Sequence, residues 1–277
     1  MPWSVDKSSG DAGGTDPSVL LYVVKKHLRQ AEGELDHLSR LLSTPSGTDR
    51  LLSLIYYSST FLAPQLSRLA LLLTVKLATP IPLVVLTPAS TTLATASNRL
   101  RKLASKISDV RMFMRLWGLV GIYKWGAGTL RSPPKDAVVR SLVLAQVAVN
   151  AAYQVLENMA YLNMHSLLAF SKRTEGRMWL WSTRCWAAHI VLDFVKLERM
   201  RWLRNEKARG LRGLVVSGEE ERAARDDWNK AWVCNATTAP LSIHWSLEKG
   251  LLDDTAVGAF GCVGAAISLR DAWRGCA

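Results

Sequence analysis

The chain has 277 residues, enough for one large domain or two ordinary ones, and a formal net charge of +12 that points to a polyanionic partner: nucleic acid, anionic lipid or an acidic protein surface. Eleven tryptophans sit well at a membrane–water boundary, where an apolar ring and a polar N–H are both satisfied, although those beside cations suit stacked bases as well. Cys185, Cys234, Cys262 and Cys276 are scattered, with no CxxC pair and no Cys/His cluster, which argues against a zinc site and a secreted disulfide framework and reads as four reduced thiols.

Residues 1–15 are rich in Gly, Ser and Asp and are expected to be disordered. They lack the apolar run of a secretory signal and carry acids that a mitochondrial presequence avoids, and residues 274–277 match neither a prenylation box nor a luminal peroxisomal tripeptide. Asp16 and Pro17 then predict a capped helix to about Leu42, with Leu20, Val24, Leu28, Ala31, Leu35, Leu38 and Leu42 on one face. The loop at residues 43–47 ends it, and a second helix runs from Thr48 or Asp49 toward Lys76.

Residues 77–97 carry no charge, but Pro80, Pro82 and Pro88 each remove a backbone donor that lipid cannot replace, so an extended or re-entrant connector is expected. A basic amphipathic helix follows at 98–117. Leu100, Leu103, Ile107, Val110, Met114 and Trp117 form its apolar stripe, and Arg99, Arg101, Lys102, Lys106, Arg111 and Arg115 surround that stripe. Such a helix suits an anionic membrane, its stripe below the headgroups and its cations at the phosphates, and it equally fits an ordinary bundle helix. The region to Trp125 closes at Gly126, Gly128, Pro133 and Pro134.

Residues 136–171 carry only Glu157 as a strong charge after Arg140, and fit either two packed helical halves or one membrane span with a polar end. Ala145, Ala148, Ala151 and Ala152 allow close helix contacts, and Lys172, Arg173 and Arg177 mark an aqueous or headgroup boundary. Residues 178–204 predict a Trp-laden helix that Arg184 and Asp193 disqualify as a span, and residues 205–227 read as a charged linker with capping-box spacing at Ser217 to Glu220. In residues 255–269, Gly258, Gly261, Gly264 and Ala265 bring small side chains together. That pattern predicts a close helix contact or self-association, in either a short tilted membrane segment or a buried core helix.

The fold class is therefore all-α: a membrane-associated helical bundle with one basic amphipathic helix and one or two short or tilted membrane segments. Its organisation is 1–15 disordered, 16–125 N-terminal helical, 136–204 central, 205–227 linker and 228–277 C-terminal helices. His27, His37, His165, His189 and His244 make no ligand pair, and no phosphate loop, nucleophile elbow or dinucleotide fingerprint is present. No enzyme, metal or cofactor is expected. Nucleic acid is disfavoured because the cations alternate with sections too apolar to be exposed. The sequon at Asn235 carries little weight without a secretory signal.

The order of these pieces resembles the peroxin-11 family of peroxisomal membrane proteins. Residues 46–57 are similar to its N-terminal signature, residues 99–118 to its basic helix ending in Arg115, Leu116, Trp117 and Gly118, residues 153–162 to a block with tyrosine and an acid–asparagine pair, and residues 228–273 to its C-terminal block around Ala239, Pro240 and Leu241. Thr48, Glu157, Tyr161 and a long connector at 78–97 depart from the family pattern and resemble a divergent, fungal-type paralogue. The resemblance implies a peroxisomal membrane protein that elongates the organelle before fission, self-associates, and works with the dynamin-related fission machinery. Two other readings stand beside it. One is a solute pore in the same membrane whose conductance depends on Glu157 or Arg184. The other is a basic helical scaffold with no membrane role.

Overall fold

The structure, a computed structural model, describes residues 17–76, 88–210 and 218–276, so the N-terminal stretch, the prolines Pro80 and Pro82 and the capping residues Asp16 and Ser217 lie outside the described residues. The described residues form eight helices and no strand: α1 Pro17–Leu42, α2 Pro45–Lys76, α3 Pro88–Arg115, α4 Gly118–Arg131, α5 Ala137–Met164, α6 Lys172–Gly210, α7 Gly218–Trp245 and α8 Asp254–Gly275.

Local chemistry accounts for the boundaries. Pro45 opens α2 at a position that needs no N–H, with the Thr44 hydroxyl accepting from Gly47 N at 3.0 Å. Asp136 caps α5 by accepting from Val139 N at 2.9 Å, and Asp253 caps α8 by accepting from Ala256 N at 2.9 Å.

Three segments differ from the sequence expectation. Residues 88–97 are the first turns of α3 and not a connector. Pro88 stands where a helix has no donor to lose, and small side chains let α3 lie close on α2: Ser97 Oγ donates to Ala63 O at 2.7 Å and lies 2.7 Å from Ser67 Oγ. The basic stretch is two helices, because the chain breaks at Leu116 and Trp117, while Gly126 and Gly128 are absorbed into α4. Residues 205–210 continue α6 and residues 218–227 begin α7, leaving 211–217 outside the described residues. Of the two readings of residues 255–269, the structure has the core helix: they lie inside α8, which packs on α2 and α7.

The packing order closes on itself: α3 lies on α2, α2 on α8, α8 on α7, α7 on α6, α6 on α5, and α5 returns to α4 and α3. The tightest of these seams is α8 on α2. A Cβ on Gly258 would stand 2.5 Å from the backbone N of Phe61, and one on Gly261 would strike one edge of the Tyr57 ring. Gly264 faces Thr237 on α7, and Ala265 is buried. These four positions serve helix packing within the chain, so a second copy could use the same face only by displacing α2.

The interior is unusually polar. Ser59, Ser97, Gln146, Gln154, Glu157, Asn163, Ser182 and Asn235 are buried, while Leu21, Leu71, Phe113, Trp117, Val120 and Tyr123 are more than half exposed. A water-soluble domain places these classes the other way round. The inversion is clearest in α5, whose buried residues are Gln146, Gln154, Glu157, Ala160, Tyr161 and Asn163, with Val138, Ala148, Ala152 and Val155 facing out. Among the described residues, α5 is the one helix long and apolar enough to cross a bilayer, and only 11% of its most apolar window is buried. Its 28 residues span about 42 Å, more than the roughly 30 Å of a hydrocarbon core.

Candidate membrane-contact face and central polar cavity

Two features stand out, an outward face on α3 and α4 and a polar centre behind it. The predicted stripe splits between them. Ile107 is 7% exposed and packs inward, with Leu100 and Met114 half-buried beside it, whereas Leu103, Val110 and Trp117 are 45%, 48% and 70% exposed. The inward line is the α2 seam. The outward line continues through Phe113, Val120 and Tyr123, three residues at matching helical spacing that the stripe did not include.

The six cations split in the same way. Arg111 Nε donates to Asp49 Oδ1 at 2.8 Å, Arg115 grips Glu157 through two bonds of 2.8 and 3.1 Å, and Arg101 pairs with Asp254 at 3.0 Å. Arg99, Lys102 and Lys106 are exposed and pair with no carboxylate among the described residues. Asp109 is the only acid of α3 and α4. It accepts from the Tyr161 hydroxyl and lies within 3.1 Å of His165 Nε2, so it does not neutralise the outward cations. Elsewhere the Trp–cation neighbours pair within the chain: Arg184 over Trp181, Arg199 over Trp202 and Arg201 over Trp228.

The centre is built where α3 breaks. A helix end leaves carbonyls without intrahelical partners. The α5 amides supply them: Gln154 Nε2 donates to Arg115 O at 2.9 Å and Asn158 Nδ2 to Leu116 O at 3.0 Å. Gly118 follows because any side chain there would strike the Gln154 amide. Tyr153 donates to Glu157 at 2.8 Å, completing the partners of a carboxylate that is 7% exposed. A second polar knot joins α5, α6 and α7 at Asp193, which accepts from Gln146 and Asn235 at 2.7 Å each and pairs with Lys196. Burial alone would raise the Asp193 carboxyl, yet the donors Lys196, Asn235 and Gln146 hold it below its ordinary value. Asn235 is thus a buried donor, which removes it as a glycan acceptor.

The residues that carry the family resemblance meet here. Tyr56 and Tyr57 from the first block, Arg111 and Arg115 from the second, Tyr153 and Glu157 from the third, and Trp245 from the fourth all line one cavity of about 950 Å³. Sequence reasoning named Glu157 as the lone strong charge of its stretch and as a pore residue, but assigned it no buried partner. The available signal was an ionisable residue alone in a long apolar stretch, which needs a buried partner. No group of three or more His, Cys, Asp and Glu among the described residues is arranged to hold a metal.

The family model described as Peroxisomal biogenesis factor 11 (PEX11) matches residues 84–273, which takes in α3 through α7 and α8 as far as Trp273. An uncharacterized protein of Schizosaccharomyces pombe is 27% identical over 176 residues, covering 63% of this chain and 77% of that protein. No solved structure matches the chain. The matched region holds the split basic helix, the α5 clamp and the polar cavity, and on that match the chain belongs to the PEX11 family of peroxisomal biogenesis factors, membrane proteins of peroxisome proliferation.

Proposed function

We propose that this protein elongates the peroxisomal membrane ahead of fission by bedding the outward face of α3 and α4 into the anionic surface of one leaflet. The observation that carries this reading is an exposed line through Leu103, Val110, Phe113, Trp117, Val120 and Tyr123, with Arg99, Lys102 and Lys106 at its start and without a carboxylate partner among the described residues. Shallow insertion expands one leaflet more than the other and favours curvature. Three available cations contribute on the order of 3 kcal/mol at an anionic surface. Arg111 and Arg115 contribute little to that attraction, being committed to Asp49 and Glu157. With α5 as an anchor, the face is held at the bilayer and insertion needs no separate recruitment.

Single cysteines carrying a spin label, placed along α3 and α4 in the full chain in anionic liposomes, test this reading. Labels at 103, 110, 113 and 120 are expected to be accessible to oxygen dissolved in lipid, and a label at 107 shielded from both lipid and water. Water accessibility at 110 and 113 would end the insertion account. Neutralising Arg99, Lys102 and Lys106 together should lower tubulation of anionic liposomes severalfold and leave the fold intact.

Self-association is assigned to α1 and not to α8. Leu21, Leu28, Leu35 and Leu42 recur every seven residues and are 56%, 57%, 64% and 41% exposed, while His37 and Arg40, near the C-terminal end of α1, hold it to Trp273 and Cys276 of the chain's body. Leucine every seventh residue is the seam of a two-stranded coiled coil. Leu28→Asn together with Leu35→Asn is expected to convert crosslinked dimers to monomers, while the thermal midpoint moves by no more than a degree or two. Undiminished crosslinking would remove α1 as the contact. The fission machinery implied by the family remains part of this proposal, with the cytosolic surface as its point of attachment.

A further inference from the structure

The central cavity has a composition that neither insertion nor packing requires. Its volume of about 950 Å³ lies at the upper end of ligand pockets, roughly 300–1,000 Å³, and it opens to the surface at Arg173, Gly176 and Arg177, which are exposed. Four guanidiniums, Arg111, Arg115, Arg173 and Arg177, line it against two carboxylates, Glu157 and Glu248. The first two arginines are satisfied by Asp49 and Glu157. Arg173 and Arg177 make no ion pair or hydrogen bond among the described residues, and Glu248, exposed at the edge, is the only carboxylate there left to compete.

The two free arginines lie four residues apart on α6, hence on one face, with Gly176 between them also lining the cavity. A Cβ on Gly176 would meet nothing within 4 Å, so the space beside the arginines is open. The other walls are apolar. Trp186 stacks on Trp245 with centroids 5.7 Å apart, and Trp179 and Leu180 continue the surface. That wall is held by Thr183 Oγ1 donating to Trp245 O at 2.7 Å and Arg184 Nε to Ser246 O at 3.2 Å. The arginines stand in the opening turns of α6, just after α5 ends, where a chain that crosses with α5 emerges at headgroup level, and the positive end of the α6 dipole adds to their field.

We propose that this cavity binds one anionic lipid, its phosphate or carboxylate head between Arg173 and Arg177 and its acyl chain along Trp179, Trp186 and Trp245. Cations at a bilayer-level rim with an aromatic wall behind them fit a molecule that is charged at one end only, and neither inorganic phosphate nor a zwitterion uses both halves. The inference does not depend on insertion of α3 and α4, since α3 lines the cavity through Ser108, Arg111, Met112 and Arg115 and not through the outward residues Leu103, Val110 and Phe113, and no residue of α4 lines it.

The test is native mass spectrometry of the full chain in a neutral maltoside detergent with equimolar phosphatidic acid, palmitate and phosphatidylcholine. One phosphatidic acid or one palmitate should stay bound per chain, and which of them is retained identifies the head. Retention should fall at least tenfold in Arg173→Gln/Arg177→Gln. It should fall as much in Gly176→Leu, which fills the cavity while leaving the thermal midpoint equal or higher because leucine favours the helix. Leu103→Asn/Val110→Asn, on the outward face, should retain lipid normally even if it abolishes tubulation. Equal retention of phosphatidylcholine, full retention in both cavity variants, or displacement by millimolar inorganic phosphate each overturns the proposal.

Discussion

Replacing Gly258 with alanine is expected to lower stability by about 2 kcal/mol, although alanine is the better helix former by about 1 kcal/mol. The added methyl would meet the Phe61 backbone, at 2.5 Å from N and 2.6 Å from Cα, and backbone in the middle of α2 cannot rotate away as a side chain can. Either α8 lifts or α2 bends, and both open the seam that also holds Gly261 against Tyr57. Gly121 provides the control on exposed α4, where a Cβ meets nothing within 4 Å. Gly121→Ala should raise the thermal midpoint by a degree or more while Gly258→Ala lowers it by several, read by thermal unfolding in detergent. If the two substitutions shift it in the same direction, the close approach of α8 to α2 is wrong.

The second large effect is an asymmetry across one ion pair. Arg115 and Glu157 are joined by two hydrogen bonds, yet their side chains are 36% and 7% exposed. Removing the arginine leaves a carboxylate with only 7% of its side chain exposed, whereas removing the carboxylate leaves an arginine that water partly solvates. A buried pair broken from one side costs about 3–5 kcal/mol. Arg115→Ala should sit near the lower end of that range, because Tyr153 still donates to Glu157. Glu157→Gln should cost about 1 kcal/mol, since the amide keeps an acceptor for Arg115 and the guanidinium has water. Arg115→Met combined with Glu157→Leu should recover much of the loss, because an apolar pair carries no desolvation penalty. Equal costs for the two single substitutions would mean that Glu157 has a route to solvent.

Much of the architecture follows from local rules that read directly along the chain. Periodicity located α1 and α2, with ends at Leu42 and Lys76, because amphipathic spacing and proline placement depend only on near neighbours. The same rules failed at residues 88–97, where serine and threonine carry weak propensity and the prolines before them pointed to a connector, while small side chains let the helix lie on α2. They failed again at 205–210 and 218–227, where a charged face is compatible with helix once its other side has something to pack on.

The candidate site was half legible. The basic amphipathic helix at 98–117 was visible in composition, and so was the family order of motifs, confirmed from residue 84 onward by the family match. Which side of that helix faces out was not visible, since Leu103 and Ile107 are equally apolar and one turn apart. Nor did the charge pattern tell Arg99 and Lys106, which stay free, from Arg111 and Arg115, which Asp49 and Glu157 neutralise across gaps of 62 and 42 residues. By itself the sequence determined that this protein is helical, cationic, membrane-suited and of this family, because those properties are sums over residues and short spacings. Which apolar line faces out, which cations are spent inside, and that four distant motifs enclose one cavity were decided only by the tertiary structure. Each of these depends on what the ring of helices brings opposite a given side chain, and no local pattern encodes that.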